Sequence, residues 1–129
     1  MLNYLTGISK RHNRALRDVR DWAATVQRFL TRYDLYGSPN FDSLFKDINE
    51  AKLDLTTIAY RARTLIKTGN DVKGQKISPL MVSLVTNVEN LRRALINPSL
   101  HETRLGEDIL SLLMSFEKLQ ETLSDVEYR

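Results

Sequence analysis

The 129-residue chain contains no cysteine, and glycine and proline are scarce at five and three. The missing thiols exclude a disulfide scaffold, thiolate zinc sites, iron–sulfur ligation and a cysteine nucleophile, and they suit a reducing, cytoplasmic setting. So little glycine and proline excludes collagen-like repeats. Histidine is rarer still, with His12 and His101 alone. Neither has a neighbour at metal-ligating spacing: there is no His-x-x-x-His, no Glu-x-x-His and no acidic calcium-type loop. No metal, cofactor or small-molecule substrate is therefore expected, and the chain reads as non-enzymatic. No run reaches the roughly 18 apolar residues that a membrane span requires, and the first ten residues lack the continuous apolar segment of a secretory signal. Lys10, Arg11, Arg14 and Arg17 precede the first acid, as in a mitochondrial presequence, but Asp18, Asp21 and the continuing core periodicity contradict that reading.

What the chain does have is apolar periodicity. At 42% hydrophobic and 27% charged, it suits one globular domain over residues 1–129. Breaks fall at Tyr36 to Asn40, at Gly69 to Pro79 and at Asn97-Pro98-Ser99, and each stretch between them has helical spacing. From Leu5 to Tyr33 the positions Leu5, Ile8, His12, Ala15, Val19, Trp22, Val26, Phe29 and Tyr33 alternate steps of three and four. Leu16, Ala23 and Leu30 thicken that stripe, which predicts a buried Trp22 and a His12 hydrogen-bonded at the core edge. A second helix is expected from near Asn40 to Gly69-Asn70, with Phe41, Leu44, Phe45, Ile48, Ala51, Leu55, Ile58, Ala59, Ala62, Leu65 and Ile66 inward. A third opens with Ser78 as N-cap and Pro79 in the first helical position, buries Leu80, Leu84, Val85, Val88, Leu91 and Leu95, and stops before Pro98. The fourth starts from the capping-box pair Ser99 and Glu102 and buries Leu105, Ile109, Leu112, Leu113, Phe116, Leu119, Leu123 and Val126. The predicted fold is all-α, an antiparallel four-helix bundle running up-down-up-down; long helical hairpins assembled as a dimer would satisfy the same periodicity.

The stretch around His101, near the start of a helix in a four-helix domain, loosely resembles histidine phosphotransfer domains. Those domains place a lysine three residues after the histidine and a small residue four after, whereas Arg104 and Leu105 stand at these positions here. His101 therefore reads as a solvated helix-start residue. Gly69 to Gly74 lies between helices and lacks a Gly-Lys-Ser/Thr ending, so it is a connection and not a phosphate loop. The acids Glu50 and Asp54, and the row Glu117, Glu121 and Asp125, fall on polar helix faces.

Charge is unevenly distributed. Residues 1–35 hold seven basic and three acidic side chains, and residues 99–129 hold the reverse. The predicted topology gathers Lys10, Arg11, Arg14, Arg17, Lys67, Lys73 and Lys76 at one pole, a candidate phosphate-binding surface. The same topology brings Glu117, Glu121, Asp125 and Glu127 to that pole, where they would neutralise the cations within the fold. Four apolar residues stand off their stripes: Leu53 and Tyr60 on the second helix, Leu110 and Met114 on the fourth. Met1, Leu2 and Tyr4 are candidates to extend that surface. The expected function is that of a non-catalytic interaction module of adaptor, assembly-factor or inhibitor type, which binds another protein or its own copy through a helix face. The alternative is a nucleic-acid-associated accessory protein using the basic pole.

Overall fold

The computed structural model describes residues 2–37, 41–72, 76–97 and 102–129, with backbone only for residues 2–8 and 102. The described residues form five helices and no strand: α1 (Leu2–Arg32), α2 (Asp42–Lys46), α3 (Ile48–Gly69), α4 (Ile77–Ile96) and α5 (Glu102–Ser124). The apolar stripe of α1 is buried from His12 through Tyr33 at every position that the three-four spacing assigns. Its end is a Schellman motif. Asp34 sits in the left-handed region at φ 51°, the Asp34 amide donates to the Thr31 carbonyl, and the Leu35 amide donates to the Leu30 carbonyl. Leu30 and Leu35 are both buried, the apolar contact that accompanies this cap.

The second segment does not run as one helix. It breaks at Asp47, which leaves helical geometry at φ −115° and ψ 40°. Aspartate is a poor helix former because its carboxylate competes for backbone donors. The break lets Leu44 turn fully into the core while Phe45 faces out, edge-on to Phe41. Phe45 therefore does not belong to the buried stripe that continuous periodicity assigns to it. Within α3, Ala51, Leu55, Ile58, Ala59 and Ala62 are buried. The indole of Trp22 is fully buried and donates from Nε1 to the Ile58 carbonyl of α3 at 3.0 Å.

Gly69 ends α3 without a left-handed turn. A Cβ there would stand 3.1 Å from Ser78 Oγ and 3.2 Å from Met81 Sδ, so glycine allows the close approach of α3 to the start of α4. Ser78 does not cap α4. The helix begins two residues earlier than expected, at Ile77 after Lys76, and the buried Ser78 hydroxyl donates to the Ile66 carbonyl of α3. The inward face of α4 is Ile77, Met81, Leu84, Val88, Leu91 and Leu95, and Leu80 and Val85, assigned inward by the periodicity, are only partly buried. Asn97 is extended at ψ 120°, as the residue before a proline should be. On α5 the core positions Leu105, Ile109, Leu112, Phe116, Leu119 and Leu123 are buried, followed by Val126 beyond the helix end, and Leu113 packs at the margin. The capping pair Ser99 and Glu102 lies outside the described side chains.

Helix α1 packs on α3 and α5, and α4 packs on α3 and α5. Helices α3 and α5 make no backbone contact with each other, and neither do α1 and α4. The shared core thus lies inside a ring of four long helices, with α2 leaning on α3. No helix among the described residues is long and apolar enough to cross a membrane.

Candidate functional surfaces

The four residues that sequence periodicity sets off the core are on the surface. Leu53 is 59% and Tyr60 72% exposed on α3, and Leu110 is 57% and Met114 63% exposed on α5. The wheel arithmetic succeeds because both helices keep regular geometry across these residues. Their distribution is a tertiary matter: with α3 and α5 out of contact, the two pairs do not merge into one patch. Val82, on the outer side of α4, is also exposed. The side chains of Met1, Leu2 and Tyr4 lie outside the described residues.

Of the basic set, Lys10, Arg11, Arg14, Arg17, Lys67 and Lys76 are exposed, while Lys73 lies outside the described residues. The neutralisation expected from the acidic end of α5 is not made by direct pairing. Among the described residues the ion pairs are Arg32 with Asp54 at 3.4 Å and Arg92 with Glu89 at 2.9 Å, and the six cations take part in neither. The cation that does meet the end of α5 is Arg20. Its Nη2 donates to the carbonyls of Leu123 at 2.9 Å and Val126 at 2.6 Å, and its guanidinium lies 5.1 Å from the centroid of Tyr128. The carbonyls at a helix C-terminus lack intrahelical donors and carry partial negative charge, so a guanidinium fork is well matched to them.

His12 acts in the same seam. It is buried and its Nε2–H donates to the Glu127 carbonyl at 2.9 Å, the hydrogen-bonded core-edge role expected of it. Asn13 completes the seam by exchanging two bonds with the backbone of Arg129, both at 2.7 Å. Sequence spacing places His12 and Arg20 two turns apart on α1, but only folding brings residues 123–129 beside them. His101 lies outside the described residues. Among the described residues, no group of three or more His, Asp or Glu is arranged to hold a metal ion.

One feature has no counterpart in the sequence reading. An open groove of about 760 Å³ runs between α1 and α3, lined by residues that include Thr25, Arg28, Arg32, Asp54 and Thr57 over the buried Phe29 and Ile58. Its polar residues belong to two helices more than twenty residues apart in the chain, which no local pattern connects. At one end Asp54 accepts from both Arg32 and the Tyr33 hydroxyl, each at 3.4 Å. Burial pushes the Tyr33 phenol above its usual pKa, the Asp54 charge adds to that rise, and Arg32 opposes it. At the other end Thr25 Oγ1 accepts from Arg28 at 3.0 Å and, from outside the groove, from Arg61 at 3.1 Å, a residue that lines a neighbouring cleft with Asp18 and Asp21. Comparison with protein-family models, with curated proteins and with solved structures gives no match to this chain.

Proposed function

We propose that the chain is a non-catalytic helical interaction module in which the long helices form an antiparallel up-down-up-down four-helix bundle, and that it binds another protein or a second copy of itself through a helix face. The order of crossing hydrogen bonds supports the bundle. Residues 12 and 20 of α1 meet residues 127 and 123, so the partner number falls as the α1 number rises, and Trp22 and Arg32 meet Ile58 and Asp54 in the same sense.

The observation that carries the binding role is the pair of exposed apolar rows, Leu53 with Tyr60 and Leu110 with Met114, on helices whose other faces fill the core. Scattered apolar side chains are ordinary on a surface, whereas rows aligned along one helix face offer the anchors of helix-face recognition. Because the rows are on helices without backbone contact, seating one row on the other row of a second copy produces a head-to-tail contact, and seating a row on itself produces a two-fold dimer. Light scattering after size-exclusion chromatography tests this with the variants L53E/Y60E and L110E/M114E. Head-to-tail assembly predicts that each variant alone is reduced to monomer and that a mixture of the two recovers dimer. A two-fold contact predicts loss with one variant only. A monomeric wild type would exclude self-association, and equal capture of a heterologous partner by wild type and both variants would refute the helix-face reading.

A second reading, a nucleic-acid-associated accessory protein, is favoured by the fact that, among the described residues, Lys10, Arg11, Arg14, Arg17, Lys67 and Lys76 form no ion pair with a carboxylate. Each phosphate contact adds roughly 0.7 to 0.9 to the log-log salt slope of binding to a DNA or RNA oligomer. Serine at Arg14, Arg17, Lys73 and Lys76 flattens that slope if this reading holds. Feeble wild-type binding at physiological salt refutes it.

A further inference from the structure

Going beyond both readings of the surface, we propose that the edge of the α1/α3 groove at Thr25 is a binding site for a phosphate monoester, held by Arg28, which lines the groove, and by Arg61, which reaches Thr25 from the neighbouring cleft. Both guanidinium groups donate to the same acceptor, Thr25 Oγ1, at 3.0 and 3.1 Å. Their donating nitrogens are thus within roughly 6 Å of each other, a range at which two cations repel. No carboxylate lies within ion-pair distance of either one among the described residues. The groove's own acid, Asp54, is engaged by Arg32 and Tyr33. Asp18 and Asp21 line a shallower cleft with Arg61 and Tyr60, but their carboxylates do not pair with it.

The Thr25 hydroxyl donates its single proton to the Asp21 carbonyl at 3.2 Å. It therefore has only lone pairs to offer, and these aim the two arginines without competing for an anion. Each guanidinium spends one N–H on Thr25 and retains others. A tetrahedral dianion between them would accept from two forks at once and cancel their repulsion, a match of geometry and charge that arginine makes better than lysine. Arg32 lines the same groove but is paired with Asp54. The two arginines that meet on this hydroxyl border an open volume of about 760 Å³, which leaves room for an oxyanion to accept from both. Arg28 and Arg61 are the binding residues, and Thr25 is a positioning residue.

Titration of the isotopically labelled chain, followed by backbone amide resonances, tests the site with inorganic phosphate, phenyl phosphate and dimethyl phosphate. The expected result is saturable movement of amides near residues 25–32 and 54–61 with the first two ligands, and binding of the monoanionic diester weaker by about ten-fold. Arg28→Gln and Arg61→Gln should each weaken phosphate by about ten-fold, as the loss of one charge-assisted bond does. Arg14→Gln/Arg17→Gln should leave it unchanged. Thr25→Val should weaken binding while Thr25→Ser restores it, a rescue that general destabilisation would not show. Tighter binding of phenyl phosphate than of inorganic phosphate identifies an organic ester as the source, and equal binding identifies free phosphate. Non-saturating shifts spread across all basic residues, wild-type affinity in the Arg28 and Arg61 variants, or a diester bound as tightly as the monoester would overturn the proposal. None of these outcomes depends on self-association through the apolar rows, whose variants leave Arg28, Arg61 and Thr25 intact.

Discussion

Removal of the Arg20 side chain is expected to loosen the end of α5 and lower the stability of the whole chain. Arg20 serves two carbonyls, those of Leu123 and Val126, and a hydrogen bond to a charged group contributes about 1.5–3 kcal/mol when shielded. Arg20 is only partly buried, so water replaces part of what is lost, while the interaction of its charge with the helix end adds about 0.3–1 kcal/mol. A net cost of about 2 kcal/mol for Arg20→Ala follows. With an unfolding entropy of about 2.1 cal/mol/K per residue, that cost lowers Tm by roughly 7 °C in a chain of this length. Arg20→Lys should lose about half as much, because an ammonium keeps the charge but not the planar fork. Combining Arg20→Ala with Tyr128→Ala should reveal a coupling of about 0.5–1 kcal/mol from the guanidinium over the ring. Urea and thermal unfolding followed by circular dichroism measure all of these. An Arg20→Ala variant within about 0.5 kcal/mol of wild type would mean that water serves these carbonyls equally well, and the seam between α1 and residues 123–129 would have to rest on His12 and Asn13.

Asp34→Gly is expected to stabilise the chain by about 0.5–1 kcal/mol, since glycine occupies the left-handed position of a Schellman cap without the Cβ penalty; a loss in denaturant midpoint would contradict the cap. Tyr33 makes stability pH-dependent in the alkaline range. Its folded pKa is raised, mainly by burial and then by Asp54, so the unfolded chain releases the phenolic proton first. Stability is then full below about pH 10 and falls as pH rises beyond it. Tyr33→Phe should remove that part of the slope, and a slope unchanged by the substitution would show that another group titrates.

Helix existence and facing were legible in the sequence wherever one helix runs uninterrupted. On α1 and α5 the three-four spacing alone selects the buried side chains, because a regular helix fixes each residue's direction and burial of one stripe is the dominant gain. The exposed positions of Leu53, Tyr60, Leu110 and Met114 follow from the same arithmetic. Where a backbone choice intervened, local patterns failed. The break at Asp47 redirects Phe45, and α4 starts at Ile77 with Ser78 and Met81 facing inward, where the Ser78 hydroxyl bonds the Ile66 carbonyl of a neighbouring helix and caps none of its own amides. The separation of the two apolar rows, the meeting of Arg20 with the end of α5, and the convergence of Arg28 and Arg61 on Thr25 all depend on which helices become neighbours. Amphipathic period says which face of a helix is buried but not against what. That is decided by the packing of the whole set, where Gly69 admits α4 and the Ile58 carbonyl receives the Trp22 indole.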